Sequence, residues 1–244
     1  MLRIDLGTIG PALLTAGVID LERLEDVYTR QGHPLAPQER EILEQGTDTT
    51  VVLDSGNARF LLDLLWGLGL ANRNRLLHEG PMMEAGGGRV DRYASTGGWR
   101  YARRPLSEIY GGFAVVPLTP EQEAWVGTAA FAVYRPCCNN PTALPDCNHG
   151  MAMLGLFTLL ANRGASVEEM LDAAYLASAA WFPYQTGEVS HFLSAALGVR
   201  RAAAVRSLAS GPDLFSATGY RAVQAWLSKN GMAPVASGGV VSAC

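Results

Sequence analysis

The sequence lacks any uninterrupted apolar run of the ~18 residues that a membrane-crossing helix needs, so no such span is expected. It also lacks an excess of positive charge. Nineteen Lys and Arg stand against 23 Asp and Glu, for a net charge of −4, which gives no global reason to expect nucleic acid or an anionic membrane surface as a partner. Cysteine is scarce, at four residues, and none of the usual spacings accompanies it: there are no paired Cys-x-x-Cys knuckles of a zinc ribbon and no Cys-x-x-Cys-His of covalent haem. A Gly-x-Ser-x-Gly elbow and a His-Glu-x-x-His motif are missing too, which leaves two common hydrolase chemistries without support. No internal repeat is present. At 48% hydrophobic residues the chain has the composition of an ordinary globular core.

The N-terminus has no secretory signature, because Arg3, Asp5, Gly7, Gly10, Pro11 and Gly17 break up its only mildly apolar stretch. If Met1 is the native start, a cytoplasmic, reducing compartment is expected and the cysteines should be thiols or metal ligands. An extracytoplasmic setting, and with it disulfides, follows if a leader has been removed.

What the sequence does have is one dense stretch. Three of the four cysteines and one of the four histidines fall within thirteen positions, Cys137 to His149, in a segment stiffened by Pro136, Pro141 and Pro145. Three thiols with one imidazole are a donor set suited to zinc or an iron–sulfur cluster. In extended backbone the adjacent Cys137 and Cys138 would project in different directions, which makes sharing one small tetrahedral ion awkward. A larger cluster, two metals, or one metal beside a reactive thiol would suit that arrangement better.

Cys147 is expected at or just before a helix N-terminus, where the macrodipole and free N–H groups favour a thiolate. Asp146 would compete for those groups and partly offset the effect. Beyond it His149 and Met153 share a helix face, as Cys147 and Met151 do if the first turn reaches that far, so copper(I) is a further candidate behind iron and zinc.

The chain around this stretch reads as mainly helical. Asp20 caps a helix of about ten residues, a short helix covers Gln38 to Gln45, and Asp54 or Ser55 caps an almost wholly apolar helix over Gly56 to Leu70. Residues 80–118, rich in glycine and aromatics, are expected as loops with one irregular hairpin and a short strand from Phe113 to Val116. Their arginines, Arg89, Arg92, Arg100, Arg103 and Arg104, read as a solvated face.

Thr119 and Gln122 form a capping box for a helix to about Val133. An apolar helix starts near Asn148 or His149 and runs to Asn162, and Ser166 and Glu169 open the next. Shorter helices over Glu188 to Leu197 and Tyr220 to Lys229 follow. One mainly helical domain is expected over 1–236, with a frayed tail over 237–244.

These readings converge on a metal- or iron–sulfur-binding redox protein or enzyme built on a Cys-Cys-x8-Cys-x-His loop. Cys137, Cys138, Cys147 and His149 are the candidate ligands and Cys147 the candidate catalytic thiol. Segment 86–101 could act as a lid, and a small molecule or a redox partner protein could be its partner. The alternatives are thiol–disulfide chemistry, with Cys147 attacking and Cys137 or Cys138 resolving, or a non-catalytic module whose loop is held by a disulfide. His33 and His78 read as surface loop residues, and His191, on a half-apolar helix, as a satisfied core residue.

Overall fold

The structure, a computed structural model, describes residues 1–198 and 210–232. The tail expected over 237–244, including Cys244, lies outside the described residues. The fold is mainly helical, and its one sheet among the described residues is a pair of two-residue antiparallel strands, β1 (Arg3–Ile4) and β2 (Val51–Val52).

The first helix, α1 (Ile9–Thr15), arises where the sequence shows only breakers. Pro11 falls in its first turn, where a missing N–H costs nothing. Gly10 lets the helix press on α3 (Pro37–Glu44), since a Cβ there would lie 2.2 Å from the Ile42 carbonyl oxygen. Between them α2 (Leu21–Arg30) begins at Asp20, whose carboxylate accepts the Arg23 N–H as expected.

The interior helix α4 spans Ala58–Ala71, two residues later than its sequence suggests. The carboxylate of Asp54 accepts the N–H groups of Gly56 and Asn57, while the Asn57 side chain accepts the Asp54 N–H; this closed turn delays the helix. Thirteen of the fourteen residues of α4 are buried, so the all-round apolar pattern does mark an interior helix.

Residues 80–118 form no hairpin. They carry two short helices, α6 (Pro81–Ala85) after α5 (Arg75–Glu79), and α7 (Leu106–Ile109), and Phe113 makes only a single bridge to Asn72. The aromatics of this region are core. Trp99 stacks edge-on against both Trp66 and Tyr101, at centroid distances of 4.8 and 4.9 Å, and its indole N–H donates to the Val18 carbonyl.

Four longer helices follow: α8 (Pro120–Ala132), α9 (Asn148–Asn162), α10 (Val167–Trp181) and α11 (Pro183–Leu197). The capping boxes at Thr119/Gln122 and Ser166/Glu169 are both formed. The start of α11 precedes expectation by five residues, because Pro183 both ends α10 and supplies a preset first residue for the next helix. The chain then carries α12 (Pro212–Phe215) and α13 (Ala217–Lys229), the latter capped by Ser216 through the Gly219 N–H.

The centre of the molecule is the crossing of α4 and α9, with α8 and α10 packed on α9. Backbone meets backbone at the crossing. A Cβ on Gly69 would lie 2.0 Å from the Met151 oxygen and one on Gly155 2.1 Å from the Leu65 oxygen. This contact holds the N-terminal half of α9, and with it the cysteine loop, against the core.

Candidate metal centre

The loop joins the C-terminus of α8 to the N-terminus of α9, and its ends are tied before its sulfurs are placed. Thr142 N–H donates to Val133 O at 2.8 Å, Ala143 N–H to Ala130 O at 2.9 Å, and Tyr134 bridges Pro141. The far side of the loop is held by the start of α13, where Ala217 N–H donates to Cys138 O and Thr218 N–H to the Asn139 side chain.

Cys137, Cys138 and Cys147 place their Sγ atoms within 4.8 Å of one another. The expectation that neighbouring cysteines would point apart fails here for a local reason: Pro136 and Cys137 sit in a turn closed by Cys138 N–H donating to Arg135 O, so the alternation of an extended chain does not apply. No disulfide joins the three. They form a gradient from surface to interior, with Cys137 exposed, Cys138 half-buried and Cys147 buried.

Cys147 is the N-cap of α9, and its sulfur accepts the Gly150 N–H at 3.4 Å. A thiolate here faces the positive end of a fifteen-residue helix. Asp146 does not compete for that position. Its carboxylate is taken by the Arg135 guanidinium at 2.8 Å and the Asn140 amide at 2.6 Å, and its backbone oxygen by Ser95 N–H at 3.0 Å. That last bond ties segment 86–101 to the loop, and Trp66 clamps the same residue from the other side by donating to Ser95 O.

His149 lies outside the three-sulfur group. It is buried, with its ring 4.4 Å from that of Phe182 and 6.1 Å from that of Trp181. Burial pushes its pKa down to about 4, outweighing the opposing effect of Cys147, with a lesser lowering from the Arg135 charge. Met151 and Met153 belong to the hydrophobic core.

Arg135 is the residue whose part the sequence does not announce. It is 1% exposed, among the largest fully buried side chains described. One nitrogen, Nη2, donates to Leu144 O and to Asp146; Nε and Nη1 have no hydrogen-bond partner. Those two lie over the first turn of α9, where a Cβ on Gly150 would come within 3.1 Å of each and 2.8 Å of Cζ. Burial disfavours its charge, but Cys147, Cys138, Asp146 and Cys137 more than offset that, and the guanidinium stays protonated.

The thiol of Cys138 is pushed well above the ordinary range, by hydrogen bonding with Cys137 and then Cys147 and by burial, with Arg135 opposing. A positive side chain at a helix N-terminus is unfavourable by itself. Here Arg135 is paired with the Asp146 carboxylate at 2.8 Å, and the neighbouring cysteines favour its charged form further.

The remaining histidines, His33, His78 and His191, are exposed; His191 therefore lies on the solvent side of α11 and not in the core, and His78 is on α5 and not in a loop. Of the arginines in the glycine-rich region, Arg89 pairs with Asp91 and Arg104 with Glu108 on the surface, in keeping with a solvated face. Among the described residues no helix is long and apolar enough to cross a membrane. Comparison with protein-family models, curated proteins and solved structures found no significant match, so the function must be argued from this geometry.

Proposed function

We propose that this protein binds a soft metal centre, zinc or an iron–sulfur cluster, through Cys137, Cys138 and Cys147. The single observation that carries this reading is the meeting of three thiols within 4.8 Å beside a buried guanidinium with two unpartnered nitrogens. A tetrahedral ion with metal–sulfur bonds of 2.3 Å separates its sulfurs by about 3.8 Å, so the loop is within roughly 1 Å of that arrangement.

Three protein ligands leave the fourth position of such an ion to water or substrate, which is the pattern of a catalytic rather than a structural site. Exposure of Cys137 provides the approach for a small molecule or a redox partner protein. In this reading His149 supports the site from its buried position behind Cys147 and is not required as a ligand. Copper(I) bound with methionine help is the weaker option, because Met151 and Met153 are committed to the core.

Anaerobic purification with elemental analysis, a visible spectrum and a thiol count tests the proposal. Stoichiometric metal with three protected thiols is the expected result, and brown absorbance selects iron–sulfur. Metal-free protein with two thiols missing would replace this reading by the disulfide one, which the closeness of the same sulfurs also allows.

A further inference from the structure

Resting on the metal reading above, we infer that Arg135 sets the class of ion: a single soft divalent cation, with zinc(II) and cadmium(II) as the type, held as a three-thiolate complex whose surplus negative charge the guanidinium neutralises. Binding is written M²⁺ + 3 Cys–SH → [M(S–Cys)₃]⁻ + 3 H⁺, the protons passing to solvent and no electron changing hands. The complex carries one net negative charge, and Arg135 carries one positive charge beside it.

Three features support this class. The first is the spacing. In a [4Fe–4S] cluster each cysteine binds a different iron and is held away from its fellows by the width of the cluster, and in a [2Fe–2S] cluster at most two cysteines share an iron, whereas three sulfurs within 4.8 Å converge on one point. The second is the charge balance. Copper(I) would leave the three-thiolate complex at −2, with one buried cation, Arg135, beside it among the described residues.

Asp146 does not cancel that cation at the sulfurs. It is partly exposed, with 22% side-chain exposure against 2% for Arg135, it is shared with Asn140, and it bonds Nη2 alone, leaving Nε and Nη1 over the first turn of α9. The third feature is the cradle. Gly150 occupies the first turn of α9, where alanine would favour the helix by ~1 kcal/mol. Yet any Cβ there would strike the guanidinium at Cζ, so the glycine leaves room for Arg135 over the sulfur-capped turn.

The experiment is competitive loading of the reduced, metal-free full chain with zinc(II), cadmium(II) and copper(I) against a chelator, on the wild type and on Arg135→Gln, Arg135→Lys and Gly150→Ala. Expected are one divalent ion per chain, preferred over copper(I), and a loss of about 10-fold or more in zinc affinity for Arg135→Gln, the range typical of residues that support metal ligands. Arg135→Lys should recover part of the loss, and Gly150→Ala, which keeps every ligand, should reproduce it.

A wild type that takes up no metal ion or cluster overturns the metal reading itself. Divalent binding left unchanged in Arg135→Gln and Gly150→Ala overturns the role of Arg135 while the metal reading stands. If the Arg135 variants fail to fold, the ion preference of the wild type decides, and preference for copper(I) or assembly of an iron–sulfur cluster overturns the inference.

Discussion

Gly69 and Gly155 stand opposite one another where α4 crosses α9, each positioned so that a Cβ would come within 3.0 Å of the other's backbone nitrogen and closer still to a carbonyl oxygen. Glycine inside a helix costs ~1 kcal/mol relative to alanine, yet both helices accept it in their interiors. The cost is offset by the close approach that lets two nearly all-apolar helices bury each other.

Gly155→Ala should therefore destabilise the protein by about 1–3 kcal/mol or more, the usual penalty for overfilling a packed core, although the same change stabilises an exposed helix. Gly69→Ala should behave alike. Denaturant unfolding checks this, and a neutral or stabilising outcome for both would mean that the crossing is looser than described.

Asp63 makes stability depend on pH in a sense opposite to that of most carboxylates. It is buried on α4 and accepts hydrogen bonds from Tyr28 at 2.7 Å and Tyr101 at 3.2 Å, with Arg59 over the Tyr28 ring. Burial outweighs these bonds and the Arg59 charge, and its pKa is pushed up to about 6 from an ordinary 3.8. Its native state thus holds a proton that the unfolded chain has lost.

The contribution of Asp63 to stability is complete below the ordinary value and disappears as pH rises through about 6. His149 works in the other direction. With its pKa down at about 4, its contribution is complete above the ordinary value of 6.5 and is lost as pH falls toward 4. The two slopes overlap, so the wild type should change little between pH 4 and 6. Asp63→Asn, which keeps an acceptor without the charge, should uncover the His149 slope. Its stability relative to wild type should rise by on the order of 3 kcal/mol between pH 4 and 7. Unfolding free energies measured across this range in both proteins decide the matter.

The burial gradient predicts an order of chemical modification. In reduced, metal-free protein Cys137 should react with iodoacetamide first, being exposed. Cys138 should lag because its thiol holds its proton, and Cys147 should lag because it is buried. Peptide mass spectrometry over time reads the order, and bound metal should protect all three. Fast labelling of Cys147 before Cys137 would contradict the described loop.

Much of this was legible in the sequence, for reasons that remain local. Caps and boxes at Asp20, Thr119 and Ser166 act through side chains on their own next turn, and the helices they announce are all present. The cysteine loop was visible as composition, and Cys147 at a helix start followed from the apolar run behind it. The convergence of Cys137 with Cys138 was not, because a turn at Pro136 defeats the alternation of an extended chain.

Arg135 was equally hidden. Nothing in a Tyr-Arg-Pro-Cys sequence says that the arginine is buried, and the one hint is Gly150 in the first turn of a helix, a cost that only tertiary contact explains. Tyr28, Asp63 and Tyr101 lie far apart in the chain and share no periodic pattern that would bring them together.

Cys147 has two duties, helix cap and proposed ligand, and substitution can separate them. Serine is among the preferred N-cap residues, and its hydroxyl can accept the Gly150 N–H that the sulfur now accepts at 3.4 Å. Cys147→Ser should therefore leave the stability of the metal-free protein equal to or slightly above that of wild type. Cys147→Ala removes the acceptor and should cost about 1 kcal/mol. Both lose the soft donor, so both should fail to hold a stoichiometric metal ion. Thermal melts with and without zinc measure both effects: zinc should raise the midpoint of the wild type and not that of either variant. Were zinc to raise the midpoint of Cys147→Ser as much as that of wild type, the ion would be bound elsewhere and Cys147 would be only the cap of α9.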